Sequence, residues 1–173
     1  MEWKSERISA FADEIGPDFE LQLDVLAAND VGNIELRGAW DRGVLSLSAQ
    51  EIASIRRMAR SAGIGFSAIG SPIGKSAVDG PFAVELENLR WSIDVAETLS
   101  APFVRVFSYY VPFGEDASAY RLEVMDRMRQ LAFLAEQSSV RLVLENERFV
   151  YGDTAERIDD IHSSVSSTAL VAA

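Results

Sequence analysis

The chain has 173 residues, of which 48% are hydrophobic and 25% are charged, and its formal net charge is −11. These proportions are those of a single soluble globular domain. The negative charge argues against generic binding to nucleic acid or anionic membranes, since both need a positive surface. The chain has no cysteine and one histidine, His162, which excludes disulfides, thiolate zinc sites and sites that need several of its own imidazoles.

Two features of the sequence bear on location. No apolar run approaches the ~20 residues that a membrane helix needs. The N-terminal stretch "MEWKSERIS" has no apolar core of the kind that signal peptides carry. We therefore expect a cytoplasmic protein that binds neither a membrane nor nucleic acid.

Short apolar segments alternate with helical patterns along the whole chain. Strands are predicted at residues 7–12, 33–37, 64–70, 102–110, 140–145 and 168–173. Helices are predicted at residues 18–30, 48–63, 81–99, 117–137 and 154–165. Ser48 and Glu51 form a capping box for the second helix, and Gly63 fits its C-terminal stop. No linker interrupts the series, so residues 1–173 are predicted to form one domain.

The fourth predicted helix has a long apolar stripe. Its predicted buried residues are Leu122, Met125, Met128, Leu131, Leu134 and Ala135. Together with the other helices, this stripe is expected to cover one face of a sheet.

Repeated strand–helix units indicate parallel strands with right-handed crossovers, which fit either an open doubly wound sheet or a (β/α)8 barrel. Central strands of an open sheet are usually apolar on both faces. Several strands of this chain instead carry charges at alternate positions, namely Glu35, Arg37, Arg105, Arg141, Glu145 and Glu147. A barrel tolerates this pattern because its inner face can be polar near the mouth, so a barrel with strands in sequential order is predicted.

Five segments of the sequence resemble a known family. They are "ISAFADEI", "IELRG", "SAIGSPIGK", "VRVFSYY" and "LVLENERFVYGDT", and they resemble the sugar phosphate isomerase/epimerase family of xylose-isomerase-like barrels, which is related to the endonuclease IV fold. The resemblance runs from Ile8 to Ala173 and implies a (β/α)8 barrel of roughly 250 residues or more. It thus implies that this chain, with six strands and five helices, lacks the last third of the barrel and some of its metal ligands.

The resemblance also implies a chemistry, which is metal-assisted proton transfer next to the carbonyl group of a sugar or sugar phosphate. It makes Glu145 a metal ligand and catalytic residue, with Mn²⁺ or Mg²⁺ as the ion and an incomplete ligand set in this chain. The alternative is a catalytically inactive barrel fragment or a small-molecule binding module. Endonuclease activity needs several histidines and a surface that accepts DNA, so it is disfavoured here.

Four further residues are candidates for substrate binding: Glu35, Lys75, Arg105 and Glu147. Each has a structural alternative. Glu35 and Arg105 fit a mutual ion pair as well as an anion clamp, because they lie on alternate strands. Lys75 fits a solvated loop lysine as well as a ligand for phosphate or carboxylate. Glu145 and Glu147 fit strand-end carboxylates that pair with Arg141 or Arg148.

A six-stranded arc has an exposed strand at each end. The last predicted strand, "TALVAA", is apolar, uncharged and free of proline, which is typical of a strand that pairs with another chain. We therefore expect the chain to self-associate through the open side of the barrel.

Overall fold

The structure is a computed structural model, and it describes residues 8–173 of the chain. Six strands form one sheet, and they are β1 (Ser9–Ala10), β2 (Asn33–Leu36), β3 (Gly65–Ile69), β4 (Phe103–Val106), β5 (Arg141–Leu144) and β6 (Leu170–Ala172). The strands follow one another in sequential order and every neighbouring pair is parallel. This confirms the predicted order and matches part of a (β/α) barrel. Arg7, which the first predicted strand included, lies outside the described residues.

One helix follows each of the first five strands. The helices are α1 (Phe19–Ala28), α2 (Ala49–Ala62), α3 (Ala83–Leu99), α4 (Arg121–Ala135) and α5 (Ala155–Val165). A short antiparallel pair, Gly38–Ala39 with Arg42–Gly43, lies between β2 and α2. In the described part of the chain, no helix is long and apolar enough to cross a membrane.

The boundaries of α2 follow from its capping residues, as predicted. The Ser48 hydroxyl accepts a hydrogen bond from the Glu51 amide, and the Glu51 carboxylate accepts one from the Ser48 amide at 2.8 Å. Gly63 ends the helix in the left-handed conformation, with φ of 72°. Both ends of α2 are thus set by residues next to the helix in the sequence.

The strands separate an apolar outer face from a polar inner face. The outer side chains are between 0 and 1% exposed and form one core with the helices; they are Ile34, Leu36, Val104, Val106, Leu142 and Leu144. Each such side chain contributes about 1.5–3 kcal/mol by leaving water. The intervening residues Glu35, Arg105 and Val143 are only partly buried, since they point to the inner face. This alternation is the one that the charges in the sequence predicted.

The prediction that Leu122 of α4 is buried is wrong. Leu122 is 78% exposed, whereas Met125, Met128 and Leu131 are buried as predicted. The predicted helix began at residue 117, but residues Ala117–Tyr120 form a 3₁₀ turn and the α-helix begins only at Arg121. Because the α-helix begins four residues later than predicted, Leu122 lies in its first turn, where its side chain faces solvent.

The loop between β3 and α3, residues 70–82, lies along the chain that continues β4. Amides of the β4 continuation donate to three successive parts of the loop: Phe107 to the Ile73 carbonyl, Tyr109 to the Gly74 carbonyl and Tyr110 to the Ser76 carbonyl, each at 2.8 Å. The fourth strand was predicted to run to Tyr110, but the strand ends at Val106. The remaining extended residues pair with this loop instead.

Candidate functional site

The five candidate site residues lie together at the carboxyl ends of the strands. Glu35 belongs to β2, Arg105 to β4, and Glu145 and Glu147 follow β5, whereas Lys75 belongs to the loop after β3. We call these five residues the charged cluster. In a barrel, the carboxyl ends of the strands carry the residues that bind ligands.

Arg105 joins two carboxylates from different strands. Its Nη1 atom lies 3.0 Å from Oε1 of Glu35 and 3.3 Å from Oε2 of Glu145, and its side chain is only 11% exposed. The predicted ion pair between Glu35 and Arg105 is therefore present. The predicted pairing of Glu145 with Arg141 or Arg148 is wrong, because its ion pair is with Arg105 on the neighbouring strand.

Lys75 is paired rather than solvated. Its Nζ atom lies 2.8 Å from Oε2 of Glu147 and 4.3 Å from the centre of the Phe107 ring. The guanidinium of Arg105 also lies against the Phe107 ring, with its Cζ atom 5.1 Å from the ring centre. Phe107 thus connects the Lys75–Glu147 pair to the Glu35–Arg105–Glu145 group. The interpretation of Lys75 as a solvated loop residue is wrong.

A second ion-paired group extends the charged cluster towards β1, and the sequence analysis missed it. Nε of Arg37 lies 3.0 Å from Oδ1 of Asp13, and Nη2 lies 3.0 Å from Oε1 of Glu14. The Phe11 ring separates Arg37 from Arg105, at 4.4 Å and 5.3 Å from the respective guanidinium carbons. Glu35 and Arg37 are two residues apart and so share a face, but Asp13 and Glu14 lie in the 3₁₀ helix Ala12–Glu14, whose side-chain positions strand alternation does not predict.

The pKa values of Glu35 and Glu147 are shifted in opposite directions. Burial raises the pKa of Glu35 above its ordinary value; Arg105 opposes this effect and Glu145 reinforces it. A hydrogen bond from Lys75 lowers the pKa of Glu147, and the backbone amide of Arg148 adds to the decrease. Oε1 of Glu35 is buried, and its contact with Arg105 is an ion pair that lacks hydrogen-bond geometry. Burial thus favours the protonated form of Glu35, whereas Lys75 favours the ionised form of Glu147.

A glycine leaves room for the charged cluster. A Cβ atom on Gly70 would lie 2.6 Å from Cγ of Arg37, 3.2 Å from Oε1 of Glu35 and 3.5 Å from Nη2 of Arg105. Any larger residue at this position would displace the ion pairs. The side chains of the site therefore fill the space over the sheet at Gly70.

The described residues do not make a complete metal site. In residues 8–173, no three side chains of the types His, Cys, Asp and Glu are grouped so that they could hold an ion. Glu145, the predicted ligand, faces the guanidinium of Arg105. The donor set around Glu145 therefore does not fit a resident divalent ion.

A cavity lies beyond the carboxyl ends of β4 and β5. It has a volume of about 610 Å³ and lies between the loops that follow β4 and β5, where Tyr110, Phe113, Phe149 and Arg157 are among its lining residues. No residue of the charged cluster lines it. The charged cluster and this cavity are thus formed by different residues.

Comparison with known proteins agrees with the fold. A xylose isomerase-like TIM barrel from Mycobacterium smegmatis, crystallised in complex with magnesium, has a TM-score of 0.78 and 18% sequence identity, and the match covers 99% of this chain and 65% of that chain. D-psicose 3-epimerase in the presence of D-fructose has a TM-score of 0.71 and 16% identity, over 95% and 61% of the two chains. An AP endonuclease, family 2, from Brucella melitensis has a TM-score of 0.74 and 12% identity, over 95% and 66%.

The chain thus spans about 65% of the length of the Mycobacterium smegmatis protein. No curated protein matches the chain by sequence. The family model of the xylose isomerase-like TIM barrel matches residues 6–172, which is nearly the whole chain. The chain therefore belongs to the xylose isomerase-like TIM barrel family.

Proposed function

We propose that the chain is an isomerase or epimerase of small sugars or sugar phosphates, which moves a proton on a carbon next to a carbonyl group. The observation that carries this proposal is the position of Arg105 between Glu35 and Glu145, at the carboxyl ends of three strands. Carboxylates at this position can transfer the proton, and a cation between them can stabilise the negative charge that develops. The fold shared with D-psicose 3-epimerase supports a sugar as the substrate class.

The reaction follows from the charges of the site. A carboxylate, for which Glu145 is the candidate, takes a proton from the carbon next to the carbonyl, and the electrons of the broken C–H bond form the carbon–carbon double bond of an enediolate. The negative charge develops on the former carbonyl oxygen, where Arg105 and Lys75 stabilise it by donating hydrogen bonds. In isomerisation the proton returns to the former carbonyl carbon, and the proton of the neighbouring hydroxyl moves to the former carbonyl oxygen, so that the hydroxyl-bearing carbon becomes the new carbonyl. In epimerisation a proton returns to the other face of the original carbon, and the carbonyl forms again.

The two pKa shifts suit separate roles for the carboxylates. Glu35, with a raised pKa, can hold a proton and release it closer to neutral pH. Glu147, with a lowered pKa, stays ionised and keeps its ion pair with Lys75. Two carboxyl groups whose environments separate their pKa values are a common arrangement for acid and base catalysis.

The resemblance implies a divalent ion, Mn²⁺ or Mg²⁺, with Glu145 as a ligand. Because the described residues do not supply a complete ligand set, none of these steps uses a metal. Glu145 acts in this proposal as a carboxylate that faces Arg105.

A second candidate is a small-molecule binding module without turnover. It is favoured by one observation, which is that Lys75 and Arg105 already contact carboxylates of the same chain. A ligand with a phosphate or carboxylate group would then compete with Glu147 for Lys75, and no proton would move.

Deuterium exchange distinguishes the two candidates. The protein is incubated in D₂O with D-fructose, D-xylulose and their phosphates, and NMR follows replacement of the C–H proton next to the carbonyl. We expect exchange above the buffer rate, and expect Glu145→Gln and Glu35→Gln to reduce it by about 10²-fold or more. Ligand-induced shifts without exchange support the binding module. Exchange that both variants leave unchanged contradicts the proposed site.

A further inference from the structure

Two charged side chains are buried in the described part of the chain, and both contact the same loop. They are Glu85 on α3, 9% exposed, and Arg127 on α4, 5% exposed. Oε2 of Glu85 accepts a hydrogen bond from the Gly74 amide at 2.9 Å, and Nη2 of Arg127 donates one to the Gly80 carbonyl at 2.9 Å. A buried charge is costly unless it is paired and hydrogen-bonded. Here both charges are directed at the main chain of the loop between β3 and α3.

Gly74 packs closely against the chain that continues β4. Gly74 has φ of 83°, and a Cβ atom there would lie 2.0 Å from the Phe107 carbonyl oxygen. Its own carbonyl accepts from Tyr109 at 2.8 Å. The Gly74 amide donates to Glu85. A hydrogen bond to an ionised carboxylate is roughly twice as strong as a neutral one.

The residue after Gly74 is Lys75. The lysine side chain has a flexible stem of four carbons and loses ~2 kcal/mol of rotamer entropy when it is fixed. A defined position for its ammonium group therefore also needs a fixed main chain. The Lys75 amide donates to the Pro72 carbonyl at 2.9 Å, which makes the turn that directs the side chain towards Glu147. The hydrogen bond from the Gly74 amide to Glu85 therefore lies next to the turn that directs the Lys75 side chain.

We propose that Glu85 is a positioning residue, whose buried carboxylate holds the main chain at Gly74 and thereby fixes the ammonium group of Lys75 against Glu147 and Phe107. Glu85 itself does not contact the charged cluster. Its functional meaning rests on the proposed role of Lys75 in the site, but the placement of Lys75 can be measured without any substrate. Failure of this inference is therefore distinguishable from failure of the proposed function.

The chain suits a direct measurement, because Lys4 and Lys75 are its only two lysines. Trace labelling with acetic anhydride, read by peptide mass spectrometry, gives the reactivity of each amine relative to an added lysine peptide. We expect the wild-type Lys75 to react slowly, because its ammonium group donates a hydrogen bond to Glu147 at 2.8 Å. Glu147→Gln provides the value for a lysine released from this pair.

The test compares Glu85→Ala and Glu85→Gln with Glu87→Ala, which removes an exposed carboxylate from the same helix. We expect Glu85→Ala to raise the reactivity of Lys75 roughly fivefold or more, towards the Glu147→Gln value, because the loop opens locally. Glu85→Gln keeps an acceptor for the Gly74 amide, so we expect reactivity within about twofold of the wild type. Lys4, labelled in the same samples, identifies any effect that is not local.

The inference is overturned if Lys75 reacts equally in the wild type and in Glu85→Ala, or if Glu87→Ala raises the reactivity as much. If Glu85→Ala does not fold, the test instead measures the rate of hydrogen exchange of the Gly74 amide in Glu85→Gln. The weaker neutral hydrogen bond should speed this exchange roughly threefold or more, relative to Glu87→Gln. Unchanged exchange at Gly74 would then overturn the inference.

Discussion

The guanidinium of Arg105 on β4 lies 3.3 Å from the carboxylate of Glu145, which directly follows β5. The same nitrogen contacts Glu35, so one cation separates two partly buried carboxylates. Removing the cation leaves the two negative charges without compensation in a poorly solvated place. We expect Arg105→Met to lower the free energy of unfolding by roughly 3 kcal/mol, measured by urea denaturation.

Two variants control this experiment. Arg90→Met changes an exposed arginine of α3 and should alter stability by less than about 0.5 kcal/mol. Adding Glu35→Gln to Arg105→Met removes one of the two uncompensated charges and should recover part of the loss. If Arg105→Met is as stable as Arg90→Met, the ion pairs do not stabilise the site.

Gly74 and Gly114 allow the strain of the β3–α3 loop to be measured against a matched position. Both have positive φ, 83° and 84°, but a Cβ atom on Gly114 meets nothing within 4 Å, whereas one on Gly74 meets the Phe107 carbonyl. Gly114→Ala should cost about 1 kcal/mol for its backbone conformation alone. Gly74→Ala should cost a further 1–3 kcal/mol from the steric clash, again measured by urea denaturation. Equal costs would mean that the loop moves away from β4 freely.

The alternation along the strands was sufficient to predict the inner face and the pairing of Glu35 with Arg105. Strand side chains alternate strictly, and residues from alternate strands of a barrel share a layer, so both conclusions follow from local spacing. The alternation also places Glu145 and Arg141 on one face, but their spacing along the strand argues against a contact. Four residues along a strand span ~13 Å, which is beyond the reach of that ion pair.

The roles of Lys75 and Glu85 could not be predicted in this way. Which carboxylate Lys75 meets depends on the path of an irregular loop, and this path is set by hydrogen bonds to residues 107–110 rather than by a periodic pattern. Glu85 lies in the first turn of α3, where a glutamate usually faces solvent and favours the helix dipole. Only the packed structure shows that its carboxylate turns inward to the Gly74 amide.

Acid should weaken the contact between α4 and α5. Asp160 accepts hydrogen bonds from Arg121 at 2.6 and 2.8 Å and from the Tyr151 hydroxyl at 2.8 Å, and the bonds from Arg121 lower its pKa to about 2. Because the folded pKa is depressed, the stability from Asp160 is present above the ordinary aspartate pKa and is lost as the pH falls through about 2.

The comparison of the wild type with Asp160→Asn tests this linkage. We expect the variant to melt about 2–4 °C lower at pH 6, and the difference to shrink between pH 4 and pH 2. Asp159→Asn, which changes the exposed neighbour on α5, should show no such convergence. A difference between the wild type and Asp160→Asn that stays constant down to pH 2 would contradict the assigned hydrogen bonds.

Metal binding by this chain should be weak. A relative in fold was crystallised in complex with magnesium, but the described residues here do not group three ligand side chains. One or two carboxylates make an incomplete coordination shell. Calorimetry with Mn²⁺ should give millimolar affinity or none, and Glu145→Ala should abolish whatever binding is seen. Micromolar binding that survives Glu145→Ala would place the metal elsewhere.

The edge strand β6 should mediate self-association. In the described residues, β6 pairs with β5 on one side, and its residues Leu170–Ala172 are apolar, uncharged and free of proline. Such an edge presents unpaired amide and carbonyl groups to another chain. We expect sedimentation equilibrium at micromolar concentration to show species larger than the monomer.

A charge placed on this edge provides the decisive comparison. Val171 faces the same side of the sheet as its partner Val143, and Val171→Lys should shift the equilibrium towards the monomer, since lysine on an edge strand opposes pairing. Ser163→Lys adds the same charge to an exposed position of α5 and should leave association unchanged, because it lies away from the edge. A wild-type chain that is monomeric, melts cooperatively and binds no dye specific for exposed apolar surface would show that β6 does not associate, and the proposal of an open side would then be wrong.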